Sequence, residues 1–134
     1  MRQAILGLTF VVLCGTAQAA TCPVRGEHPM IEAQLFFGRD IAGRGPVTKE
    51  EWSDFAAKLI AENFPDGFTV TDGEGAWFDP KTKSMIHEDT KIVLVAAKQT
   101  PGTAAKLSHV MDAYKRQFHQ QSVGLITRPV CAAF

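Results

Sequence analysis

The stretch most like a chemical site is Gly38-Arg39-Asp40-Ile41-Ala42-Gly43-Arg44-Gly45. A glycine-rich turn between a strand and a helix offers backbone N–H groups to an anion, and Arg39 or Arg44 would add charge. A phosphate-binding loop of the P-loop type needs Lys and then Ser or Thr after its second glycine. Arg44-Gly45 stands there instead, so the segment reads as a connection with, at most, a loose anion site. Gly73-Glu74-Gly75 is half of a dinucleotide fingerprint, but it leads into a strand and reads as a turn or bulge.

Other residue groups that could do chemistry also fall short. His28, His87, His109 and His119 include no pair at the four-residue spacing that sets two metal ligands on one helix face, and no His-Glu-x-x-His occurs. His87-Glu88-Asp89 reads as a solvated turn. Ser108 and His109 are neighbours on a helix and point apart, and no Gly-x-Ser-x-Gly elbow is present. Glu50-Glu51 is explained by helix capping. No metal site and no cofactor are expected.

Two cysteines bracket the chain. Cys22 follows an N-terminal segment with the three parts of a secretory signal: Arg2, an apolar run from Ala4 to Leu13, and the small-x-small site Ala17-Gln18-Ala19. The run is shorter than the roughly 20 apolar residues of a membrane span. Residues 1–19 are therefore read as a signal peptide and 20–134 as one domain. Cys14 would be discarded with the signal, because Leu13 before it does not suit acylation. In an exported chain Cys22 and Cys131 are expected to form a disulfide. A closed loop of about 100 residues contributes about 4.7 kcal/mol in the chain-entropy model. Fourteen basic side chains balance fourteen acidic ones, which argues against nucleic-acid or anionic-membrane partners. A secreted or periplasmic location follows, without stable membrane insertion after cleavage.

The elements that would position any site are legible from periodicity. Met30 to Phe37 alternates as a strand. Thr48-Lys49-Glu50-Glu51 is a capping box. Trp52, Phe55, Ala56, Leu59, Ile60 and Phe64 follow at helical spacing until Pro65-Asp66-Gly67 stops the helix. Phe68 to Thr71 reads as a strand that resumes at Gly75 to Phe78 after a bend at Asp72-Gly73. Ser84 to His87 pairs back, and Thr90 to Ala97 is the most apolar strand. Leu107, Val110, Met111, Tyr114 and Phe118 form the buried face of a second helix, with Thr103 as a plausible cap. Ser122 to Thr127 is the last strand.

This order, β-α-β-β-α-β, is the ferredoxin-like α+β plait, with two helices on one face of an antiparallel sheet. It places the end of the last strand beside the start of the first, where Cys131 and Cys22 stand. It also leaves one sheet face open. Phe36, Trp77 and alternate residues of Ile92 to Ala97 point there, so the face either takes a partner or ligand or is covered by the chain's own lead-in or hairpin. Phe36 and Trp77 are the expected contacts, with Arg39, Arg44 and Arg116 as possible polar neighbours.

The segments Gln34-Leu35-Phe36-Phe37-Gly38, Phe64-Pro65-Asp66-Gly67-Phe68-Thr69-Val70, Gly75-Ala76-Trp77, Tyr114-Lys115-Arg116-Gln117-Phe118 and Pro129-Val130-Cys131 occur together. Taken with Val47-Thr48, Trp52, Phe55 and Gln121-Ser122-Val123, they resemble family thirty-five seventy-four of the domains of unknown function, small exported bacterial proteins. The resemblance implies fold and export, and brings no activity.

The reading favoured by these residues is a non-catalytic binding or envelope-associated protein, with a possible homodimer through the open face. The alternative is a small pocket enzyme of the dimeric α/β-barrel type, monooxygenase-like or isomerase-like, using Arg39, Asp40, Asp72, Arg116 and His119. An enzyme would converge titratable groups inside an apolar pocket, and a binding module would show an apolar patch without them. Unreduced, denatured mature protein should show no thiol reactive to Ellman's reagent; two reactive thiols would remove the disulfide.

Overall fold

The computed structural model describes residues 22–134. The signal segment, its cleavage site and Cys14 lie outside the described residues. Strand β1 spans His28–Gly38, β2 Thr69–Asp79, β3 Ser84–Ala97 and β4 Gly124–Ala132. They form one antiparallel sheet in the order β2-β3-β1-β4. Helix α1 opens as Lys49–Phe55, widens into a π turn over Ala56–Ile60 and closes with Ala61–Asn63; α2 spans Pro101–Phe118. The ferredoxin-like plait is therefore the observed fold.

The period-two pattern of β1 separates the two sheet faces. Ala33, Leu35 and Phe37 are buried with Val93 and Val95 of β3 under the helices. Phe36 lies between Ile92 and Gly124 on the other face. The capping box of α1 is present: Glu51 N–H donates to Thr48 Oγ1, and Thr48 N–H donates to the Glu51 carboxylate. The π turn sets Phe55 and Ile60, five residues apart, on the same buried side.

Phe37, Trp52, Phe55, Tyr114 and Phe118 pack as one aromatic cluster. Ring centroids lie 4.8 Å apart for Phe37–Tyr114 and 5.0 Å for Phe55–Tyr114. Edge-to-face pairs of this kind add about 0.5–1.5 kcal/mol beyond area burial. Tyr114 also donates its hydroxyl to Gly38 O at 2.8 Å. The fully buried ring thus carries a satisfied polar tip.

Cys22 and Cys131 form the expected disulfide, with Cα atoms 5.6 Å apart across a separation of 109 residues. Pro129 sits on the edge strand β4, where a missing ladder donor is tolerated.

Several local expectations are corrected. β2 runs through Asp72-Gly73 without a bulge, in register from Thr69↔Leu94 to Asp79↔Ser84. His87-Glu88-Asp89 is strand, because β3 extends well past the end of β1 as a two-stranded ribbon with β2. The cap of α2 is Thr100, not Thr103: Thr100 Oγ1 accepts from Thr103 N–H, and Pro101 occupies the first turn, where a missing N–H costs nothing.

Burial pushes the Tyr114 hydroxyl's pKa well above its ordinary value, with the Glu88 charge a lesser cause. The unfolded chain releases this proton near pH 10 and the folded chain holds it. The unfolded state then binds fewer protons, so stability falls as pH rises past about 10, by about 1.4 kcal/mol per pH unit. Tyr114→Phe should remove that slope and cost about 1–3 kcal/mol at neutral pH by leaving Gly38 O unpaired. Urea titrations of both proteins between pH 8 and 11 check this; equal slopes would contradict it.

Candidate functional site: a basin on the open sheet face

Side chains facing away from the helices come from all four strands. β1 supplies Glu32, Gln34 and Phe36; β3 supplies Ile86, Glu88, Thr90, Ile92 and Leu94. Opposite them stand Trp77, Gly75 and Gly73 of β2 and Gly124, Ile126 and Arg128 of β4. In the middle of this face Arg128 donates to the Glu32 carboxylate at 3.0 Å. That bond, followed by one from Gln34, holds the Glu32 carboxyl below its usual pKa. The centre is thus a polar patch within an apolar surface.

Two depressions flank this patch. One, of about 780 Å³, lies between His28, Phe68, Leu94 and Phe134. Phe134 is 98% exposed and so offers no fixed wall. The other, of about 500 Å³, has Phe36, Trp77 and Ile86 as its apolar surface, with Asp40, Glu88, Thr90, His119, Gln120 and Ser122 around it. Its parts come from all four strands and two loops, which makes it the better-built candidate.

Glycines make the second basin hollow. Gly38 lets the Glu88 carboxylate lie across the strand end, where a methyl group would overlap Glu88 Oε1. A Cβ on Gly124 would come within 3.2 Å of the Phe36 Cβ. Gly73 and Gly75 sit opposite Thr90 and Glu88, so no β2 side chain fills the space between Trp77 and Thr71.

The walls are tied down by hydrogen bonds. Asp40 N–H donates to Glu88 Oε1 at 3.0 Å. Gln120 Nε2 donates to Asp40 O, linking the loop after α2 to the loop after β1. That loop starts at His119, whose φ of 53° lies in the left-handed region usually given to glycine at a helix end. A non-glycine residue held there stores strain of about 1 kcal/mol or more, as binding sites often do.

The expected site residues divide clearly. Phe36 and Trp77 share the basin, and Trp77 remains 51% exposed. Asp40 and His119 also line it. Arg39, Arg44, Arg116 and Asp72 do not. Arg39 donates to Val47 O at 3.1 and 2.7 Å and latches the connecting loop. Arg44 forms a two-toothed pair with Glu51 at the start of α1, which lowers the Glu51 pKa and raises its own. Arg116 lies exposed in the last turn of α2, outside the residues lining the basin. Asp72 pairs with Lys91, whose hydrogen bond lowers its pKa. This pair sits on the helix-side face of the ribbon. Arg39 and Arg44 are thus engaged by partners away from the open face.

Glu88, Gln120 and Ser122 were not anticipated. The only available signal was parity: in a continuous β3, Glu88 shares a face with Ile86 and Ile92.

The match of residues 32–134 to the family described as "Protein of unknown function (DUF3574)" places this chain in that family. No curated protein matches it in sequence. Among solved structures, a phage SAM lyase in complex with S-methyl-5'-thioadenosine is similar with a TM-score of 0.62 and 12% identity, over 85% of this chain and 97% of that one. CutA1 from Oryza sativa gives 0.55 and 13%, over 81% and 86%. CutA from Synechococcus elongatus, complexed with Bis-Tris, gives 0.50 and 10%, over 80% and 87%. At these identities the likeness is one of fold. Among the described residues no helix is long and apolar enough to cross a membrane.

Gly38→Ala should push the flexible end of the Glu88 side chain aside, break its bond to Asp40 N–H and cost about 0.5–1.5 kcal/mol. In a Glu88→Ala background the same change should cost less than about 0.5 kcal/mol. A double-mutant cycle by urea unfolding measures the coupling; additive costs would show that Gly38 is not there to admit Glu88.

Proposed function

We propose that this chain is an exported small-molecule-binding protein and that the Phe36–Trp77 basin is its binding site. The observation that carries this reading is a hollow lined by the exposed Trp77, its cross-strand neighbour Ile86 and Phe36, which no described side chain fills. Ligand sites are usually concave and apolar, with a few placed polar groups. The N-terminal signal pattern and the Cys22–Cys131 disulfide support export to an oxidising compartment.

The apolar remainder of the open face, Ile92, Leu94 and Ile126 around the Glu32–Arg128 pair, suits a second copy, and we propose a homodimer through it. Such a contact would close the basin from solvent. Sedimentation velocity tests this part.

A second reading is enzymatic. Asp40, Glu88 and His119 line the same hollow as Phe36, Trp77 and Ile86, and titratable groups beside an apolar surface are what a pocket enzyme would use. The phage protein of like fold is a SAM lyase. Release of S-methyl-5'-thioadenosine from S-adenosylmethionine, followed chromatographically, would favour this reading over simple binding.

Trp77→Ala should weaken capture of the neutral apolar dye Nile red at least fivefold and shift the thermal midpoint by less than about 2 °C, as expected for a surface substitution. A collapse of the midpoint would assign Trp77 to the core. Unchanged dye binding would move the site elsewhere.

A further inference from the structure

The residues lining the basin include two carboxylates, Asp40 and Glu88, and no lysine or arginine. Among the described residues neither carboxylate belongs to an ion pair. The basic residues nearest these carboxylates in the chain, Arg39 and Lys91, are committed elsewhere. Arg39 holds Val47 O and lies 3.9 Å from Asp89. Lys91 pairs with Asp72 on the opposite face of the ribbon. The Glu88 carboxylate accepts one hydrogen bond, from Asp40 N–H, and among the described residues it has no ion-pair partner.

Lining the same basin are two aromatic residues, Phe36 and Trp77, with Ile86. Aromatic faces attract cations through the ring quadrupole, most strongly in tryptophan. Asp40, Glu88 and His119 are too far apart to share one metal ion: among the described residues the close group of potential metal ligands is Cys22, Glu27 and Cys131, where both sulfurs are used in the disulfide. A diffuse negative field over an apolar, aromatic surface does not suit a compact ion that needs convergent ligands. It suits a bulky cation whose charge is spread over alkyl groups and which sheds water at low cost.

We infer that the basin selects an organic cation with an apolar body, of the quaternary ammonium or sulfonium type. The cationic centre sits between the Trp77 ring and the Glu88 and Asp40 carboxylates. The body of the ligand covers Phe36 and Ile86. This inference rests on the binding-site reading above and adds the charge and chemical class of the ligand.

The test compares benzyltrimethylammonium with its neutral isostere neopentylbenzene, using disulfide-intact, ¹⁵N-labelled protein. The readout is the indole N–H signal of Trp77, assigned with Trp77→Phe; the buried Trp52 serves as an internal control. The cation should shift the Trp77 signal with an affinity at least tenfold above that of the isostere. Glu88→Gln combined with Asp40→Asn should reduce the two affinities to parity. Gln keeps an oxygen for Asp40 N–H; if the double variant fails to fold, Asp40→Asn alone carries the comparison and should at least halve the preference. Equal affinities for both probes in the wild type, or a preference unchanged by the substitutions, would overturn the cation inference and leave the binding site standing. No shift at Trp77 with either probe would overturn both.

Discussion

Tyr114 holds helix α2 to the sheet in two ways at once. Its ring packs on Phe37, Phe55 and Phe118, and its hydroxyl donates to Gly38 O at the end of β1. The second contact fixes where along β1 the helix must end. Four residues later the chain turns at Phe118 and His119, and Gln120 reaches back to Asp40 O. The loop that forms one wall of the basin is therefore placed by a hydrogen bond on the buried side of the sheet. Core and site are coupled through the last residue of one strand.

The remaining geometry follows from having two helices for four strands. One face is covered by aromatic and branched side chains, and the other must meet water, a ligand or another molecule. β2 and β3 outrun β1, so Trp77, Ile86 and Glu88 stand on a ribbon that, among the described residues, pairs with no further strand. Where that ribbon meets the main sheet, glycines replace side chains on three strands. A hollow forms there because small residues border large aromatic ones, not because the backbone is irregular.

Much of this was legible in the sequence. Alternation along β1, the Thr48 capping box and the helical stripe from Trp52 to Phe64 specify local structure through short-range physics. Together with strand order they bring Cys22 to Cys131. Phe36 and Trp77 were legible as open-face residues through parity alone. Asp40 and His119 were named for their chemical type, and the structure brings them to the same basin. What escaped was long-range. His87-Glu88-Asp89 looked like a polar turn because three polar residues in a row obscure a period of two; only its pairing with β2 makes it strand. Gly73 and Gly75 looked like a bend, since the sequence does not distinguish a glycine that turns the chain from one that leaves room for a neighbour. Arg39, Arg44 and Arg116 were drawn in by charge, which shows what a side chain could bind but not what is already beside it.

We propose that the hollow between Phe36 and Trp77 holds a small molecule. Native mass spectrometry of the mature protein, purified gently from an oxidising compartment, tests this most directly. A stoichiometric small-molecule adduct, present in the wild type and absent from a Phe36→Ala, Trp77→Ala variant that still folds, is the predicted result. A bare protein mass in both, under conditions that preserve known weak complexes and after exposure to a whole-cell metabolite extract, would contradict it.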